Sequence, residues 1–167
     1  MLLSQSPTSR CCMADIEFAL MQNYHLPSVF GLEEQLFHGE EWSREQFLSE
    51  LEHMPESRMY WVALDDKRVV GYCGVMIVDD FADIATLAIS PDYQRRGIGT
   101  RMVDLMIEEA LKRGARRMLL EVRIDNEPAI ALYRNYGFDF IAERPNYYGP
   151  GLSAYVMELK PLVAKNV

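Results

Sequence analysis

The segment Tyr93-Gln94-Arg95-Arg96-Gly97-Ile98-Gly99-Thr100 sets two glycines, two arginines and a hydroxyl directly ahead of a strongly periodic apolar stretch. Those residue types at that spacing suit the holding of an anion. The first turn of a helix carries unpaired N–H groups and the positive end of the aligned peptide dipoles. Glycine lets the backbone take up φ > 0 and come close to phosphate oxygens. Guanidinium groups such as those of Arg95 and Arg96 add charge-assisted hydrogen bonds. Two familiar phosphate motifs are excluded. Position 102 is Met, where a dinucleotide fingerprint needs its third glycine, and no Gly-Lys-Ser/Thr ending marks a nucleoside triphosphate loop. Glycines alone also suit a bare strand-to-helix turn, so the setting decides what the segment means.

Other reactive side chains point away from metal and thiol chemistry. Cys11, Cys12 and Cys73 have no Cys-x-x-Cys spacing and read as free thiols without a role. His25, His38 and His53 are too scattered for a zinc site, so no metal is expected. The net charge of -8 argues against a nucleic-acid partner, which calls for a basic surface. The acidity is uneven: residues 15–56 hold ten acidic side chains against one basic, Arg44. Solvated helix faces account for this, and so does an acidic rim that attracts a cationic substrate. No apolar run approaches the ~20 residues of a membrane span. The first seven residues lack the basic and apolar regions of a signal peptide, so a cytoplasmic protein without a membrane partner is expected.

A chain of 167 residues suggests one domain. Residues 1–13 are polar and aperiodic and read as a disordered tail, with Met13 an alternative start; residues 161–167 read as a C-terminal tail, leaving a domain over 14–160. Residues 16–20 alternate as a strand. Val29, Leu32, Leu36 and Phe37 recur at helical spacing, and Ser43 with Gln46 forms a capping box before Phe47, Leu48 and Leu51. Apolar runs at 59–64 and 69–78 flank Asp65-Asp66-Lys67-Arg68 as a hairpin, and 81–89 is a further strand. Ile98, Met102, Leu105, Met106 and Ala110 stripe a helix over 99–113 that Gly114 ends. A strand at 118–122, a helix at 126–136 and strands at 138–142 and 154–159 follow. The order β-α-α-β-β-β-α-β-α-β-β implies an α/β fold, with a mixed, mostly antiparallel sheet of about seven strands and four helices.

Gln94-x-x-Gly97-x-Gly99, preceded by Leu87-Ala88-Ile89-Ser90-Pro91, resembles the acetyl-CoA signature of the GNAT acetyltransferases. More narrowly, the chain resembles the bacterial ribosomal-protein N-terminal alanine acetyltransferases (RimI type). Trp42-Ser43-x-x-x-Phe47, Leu120-Glu121-Val122-Arg123-x-x-Asn126, Ala129-Ile130-x-Leu132-Tyr133-x-x-x-Gly137-Phe138 and Asn146-Tyr147-Tyr148 carry that likeness, over about residues 15–160. Two places depart from the pattern: Glu40-Glu41 stand before Trp42 in place of a less charged, proline-containing stretch, and Ser153 replaces a common acidic residue.

The resemblance implies a GNAT fold and acetyl-CoA as co-substrate, without a metal. It gives Leu87, Ala88 and Ile89 backbone bonds to the pantetheine arm. Arg95, Arg96, Gly97, Ile98, Gly99 and Thr100 would cradle the pyrophosphate, and Asn126 would contact the cofactor. Glu121 would be the general base and Tyr133 the general acid. Trp42, Tyr147 and Tyr148 would meet the acceptor, the basic N-terminus of a protein such as a ribosomal one.

The residues themselves are compatible with those roles. Strand alternation puts Glu121 on one face with Leu119, and Met118, Leu120 and Val122 on the other. Apolar neighbours desolvate a carboxylate and favour its protonated form, which suits a base working near neutrality. Asn126 is a good N-cap, and Tyr133 lies seven residues on, about 10 Å along the same helix face. An ordinary tyrosine is a proton donor at pH 7. An α-amino group is about one quarter neutral at pH 7.4, against about one thousandth for lysine, so a modest base suffices for an N-terminus. Glu33, Glu34, Glu40 and Glu41 would attract a basic tail. A lysine or small-amine acetyltransferase, or a non-catalytic acyl-CoA-binding module, stay open at this level.

Overall fold

The computed structural model describes residues 16–37, 39 and 41–163. The expected tail at 1–13, Cys11, Cys12, His38, Glu40 and residues 164–167 lie outside the described residues.

Seven strands form one sheet in the order β1-β2-β3-β4-β5-β7-β6. The strands β1 (Ile16–Leu20), β2 (Arg58–Asp65), β3 (Arg68–Val78) and β4 (Phe81–Ile89) form an antiparallel meander. Asp66 and Lys67 close the β2–β3 hairpin with φ of 42° and 70°, the pair of positive angles that matches the twist of the flanking strands. Helix α3 (Ile98–Lys112) then carries the chain to β5 (Arg117–Arg123), which runs parallel to β4. The last hairpin, β6 (Asp139–Arg144) and β7 (Ala154–Leu159), places β7 against β5 and leaves β6 at the edge. The remaining helices are α1 (Leu26–Leu36), α2 (Arg44–Glu52) and α4 (Glu127–Asn135). The seven strands and four helices follow the expected order, and Asp139–Arg144 extends past the 138–142 expected from sequence.

Helices cover both faces of the central strands, so β2 and β3 are apolar on both sides, while β6 at the edge is exposed. Met102, Val103 and Met106 of α3 have no exposure and pack with Ile130 of α4 on one face. Each such buried side chain stabilises the fold by about 1.5–3 kcal/mol. Val29 and Leu32 of α1 and Phe47 of α2 pack on Tyr60, Val62 and Tyr72 on the other face. The Ser43 hydroxyl accepts from Gln46 N–H at 3.2 Å and the Gln46 side chain accepts from Ser43 N–H at 2.7 Å, so the capping box forms. Leu162, beyond the last strand, is also buried, and its N–H donates to Arg116 O at 2.8 Å.

One irregularity shapes the site. Opposite β3 the register passes from Gly74↔Thr86 to Val75↔Ile84, which leaves Ala85 as an extra residue in β4. Such a bulge bends its strand and ends regular pairing. Strands β4 and β5 pair only from Phe81↔Arg117 to Ile84↔Leu120, although β4 runs on to Ile89 and β5 to Arg123. The sheet is therefore split in its middle. Among the described residues, no helix is long and apolar enough to cross a membrane.

Candidate active site

Two hollows meet over the split. The first, of about 160 Å³, is walled by Thr86 and Leu87 of β4, Glu121 and Val122 of β5, and Tyr133 of α4. Glu33, Phe37 and Trp42 close it from the α1–α2 side, and Tyr148 from the β6–β7 loop. The second, of about 340 Å³, lies between Ile89, the turn residues Gln94, Arg95, Gly97, Gly99 and Thr100, and Leu132 of α4. Leu87, Asn126 and Ala129 line both, so the two form one continuous path.

The glycine turn is built to leave N–H groups free. Gly97 caps α3 with φ of 83° and no side-chain cap, so the first-turn N–H groups of Ile98, Gly99 and Thr100 face outward without an intrahelical partner. A Cβ on Gly99 would stand 3.2 Å from Ile89 Cδ1 and 3.3 Å from Leu132 Cδ2, so the glycine permits the close approach of α3 to β4 and α4. Gln94 Nε2 donates to Ile89 O at 3.1 Å and pins the turn to the strand end. Arg95, in the left-handed region with φ of 59°, lines the second hollow. Arg96 instead lies over the Tyr93 ring at 4.9 Å. The side chains of Ala88 and Ile98 are buried in the two cores, so only their backbones can serve a ligand. Asn126 is the N-cap of α4, its Oδ1 accepting from Ala129 N–H at 3.2 Å.

Glu121 lies on the strand face expected from alternation, with Met118, Leu120 and Val122 buried on the other. Its surroundings are not purely apolar, because Arg144 Nη1 stands 3.1 Å from its Oε1. Asp83 of β4 feels the same group: burial first, then the Glu121 charge, push its carboxyl up to about 6, against the opposing pull of Arg144 and Arg58. Tyr133 is nearly buried, its ring edge-on to Phe138 at 5.7 Å, and burial raises its phenol above the ordinary value. It therefore stays protonated throughout the physiological range.

On the α1–α2 side, Trp42 packs on Phe47 at 5.2 Å. Tyr148 donates to the Glu121 carbonyl at 3.4 Å, and Tyr147 stands edge-on to Tyr148 at 5.0 Å beneath the Arg144 guanidinium. Tyr147 itself is exposed and is absent from the walls of both hollows. Glu33, read from the sequence as part of an acidic rim, is a correction: it is 2% exposed. Its carboxylate accepts from the Tyr72 hydroxyl and from Trp42 N–H, while Glu34 and Glu41 are exposed. Burial holds the Glu33 carboxyl above the usual carboxylate range. Its position four residues after Val29, on the apolar stripe of α1, was the available signal. Arg144 and the split at Ala85 gave none, since strand pairing brings together residues far apart in the chain. Among the described residues no three His, Cys, Asp or Glu side chains group as a metal site would need.

Residues 26–138 match the Acetyltransferase (GNAT) family. The chain is 32% identical over 128 residues to the ribosomal protein bS18-alanine N-acetyltransferase of Escherichia coli K12, covering 77% of this chain and 84% of that protein. It is 37% identical over 132 residues to the N-alpha-acetyltransferase RimI of Mycobacterium tuberculosis, covering 75% and 80%. The crystal structure of the ribosomal-protein-S18-alanine N-acetyltransferase from Escherichia coli superposes with a TM-score of 0.76 at 30% identity, covering 90% of this chain and 97% of that one.

Proposed function

Because this chain belongs to the GNAT acetyltransferase family, we propose that it acetylates a protein N-terminus, that of a small-subunit ribosomal protein beginning with alanine. It is an N-acetyltransferase, and acetyl-CoA is its co-substrate. The observation that carries the reading is the meeting of the two hollows at Leu87, Asn126 and Ala129. An anion-holding helix start thereby opens into a cleft that contains a carboxylate and a phenol.

The residues present fit the co-substrate. The free N–H groups of α3 and the Arg95 guanidinium suit a pyrophosphate, with Gly97 and Gly99 giving the backbone its close approach. Arg96 adds long-range positive charge from its place over Tyr93. Leu87 to Ile89 pair with β3 but not with β5, so their free edge offers main-chain groups to the pantetheine arm, and Asn126 stands where the two hollows meet. When bound there, acetyl-CoA supplies an activated acetyl thioester. Glu121, oriented by Arg144, takes the proton that the amine must lose. Tyr133, always protonated, gives a proton to the departing thiolate. Trp42 and Tyr148 wall the acceptor, Tyr147 stands exposed and edge-on to Tyr148, and the exposed Glu34 and Glu41 add negative charge that suits a basic peptide. A ribosomal substrate supports a cytoplasmic setting for the reaction.

The test is mass spectrometry of peptides incubated with the protein and acetyl-CoA. A single acetyl on the α-amine of an alanine-first basic peptide is expected. Acetylation of lysine side chains or polyamines alone would overturn the reading, and so would binding of acetyl-CoA without transfer to any peptide.

A further inference from the structure

Two carboxylates line the acceptor cleft, and their surroundings differ in kind. Glu121 has a cation, Arg144, at 3.1 Å. Glu33 has none among the described residues: its partners are the Tyr72 hydroxyl and Trp42 N–H, both neutral. Yet it is as deeply buried as the core apolar residues beside it. A buried anion without a counter-ion is costly, and an amide of the same shape would accept the Trp42 N–H equally well. Packing therefore explains a polar side chain at this position but not why it is an acid rather than an amide. Each carboxylate oxygen has more than one lone-pair direction, so two neutral donors leave acceptor capacity toward the cleft.

The missing cation has a natural source. An α-amino group arrives mostly protonated at neutral pH, and it must enter the cleft that Glu33 helps to close. We propose that Glu33 is the recognition residue for the acceptor: its carboxylate receives the incoming α-ammonium group and holds it beside Glu121. The assignment rests on the α-amine reading above. It divides the labour between two acids, one recognising charge and one, tethered by Arg144, moving the proton. The competing account is that Glu33 only ties the α1–α2 connection to β3 through Trp42 and Tyr72.

Calorimetry on the full chain with bound coenzyme A separates the two. The probes are a basic hexapeptide beginning with alanine and its counterpart with an N-terminal propionyl group, which lacks only the amine. The wild type should bind the alanyl peptide about tenfold or more tighter, as a buried charge-assisted hydrogen bond implies. Glu33→Gln keeps the shape and the Trp42 bond, and should bring the ratio near one without changing acetyl-CoA binding. Tyr72→Phe removes a neutral partner and keeps the charge, so its ratio should persist. An unchanged ratio in Glu33→Gln overturns the proposal. So does loss of the ratio in Tyr72→Phe, which decides the matter even if Glu33→Gln fails to fold. A ratio of one in the wild type would instead sink the α-amine reading itself.

Discussion

Arg144 at the end of the edge strand β6 reaches across β7 to place its guanidinium 3.1 Å from the carboxylate of Glu121 on β5. The same guanidinium lies 5.5 Å from the Tyr147 ring centre. The last hairpin thus bears directly on the proposed base, and Arg144 links Glu121 to Tyr147 beside Tyr148.

Glu121→Gln is expected to lower kcat by about 10²–10³, the usual scale for losing a general base, with acetyl-CoA affinity unchanged. Arg144→Ala should cost about three- to tenfold alone, because the arginine is half exposed, and nothing further in the Glu121→Gln background. Steady-state kinetics on the four proteins of the cycle measures this. Additive losses would mean that Arg144 acts elsewhere.

Tyr133→Phe should slow turnover by about 10- to 100-fold with little change in either KM or in melting temperature, since only a hydroxyl at the cleft wall is lost. Wild-type turnover would reduce Tyr133 to its packing against Phe138.

Asp83 makes stability depend on pH. Burial pushes its folded carboxyl up to about 6, above the ordinary aspartate value, so between the two the folded state holds a proton that the unfolded state releases. The associated stability is fully present below about pH 4 and is lost as pH rises to about 6. Asp83→Asn should therefore match the wild type below pH 4 and exceed it above pH 6 by about 1–2 kcal/mol, after allowing for partial exposure. Urea titrations at pH 4 and pH 8 test the sign; a variant less stable at pH 8 would refute it.

Gly97→Ala should destabilise the protein by about 1–2 kcal/mol, because φ of 83° is unfavourable for a residue with a Cβ. The KM for acetyl-CoA should rise while that for the acceptor peptide stays near the wild-type value. Equal changes in both constants would detach the turn from coenzyme binding.

Much of the fold was legible in the chain because its signals are local. The capping box at Ser43, the apolar stripe of α3 and the alternation at 118–122 each depend on neighbours a few residues away, and each recurs in the structure. Glu33 was misplaced for the same reason in reverse. A run of acidic residues reads as a solvated face, and only the packing of α1 on Tyr72 shows that one of them turns inward.

The sequence by itself determined the glycine turn before α3, the order of the elements and the family likeness, and it named Glu121 and Tyr133 as candidates. Helix periods, turn chemistry and motif spacing are written along the chain, and these features depend on them alone. Tertiary structure decided what those residues face: the split beyond Ile84 and Leu120, the joining of the two hollows at Asn126, and the cation on Glu121 beside a Glu33 that lacks one. Those relations arise from strand register and helix packing between distant segments, and no local pattern encodes them.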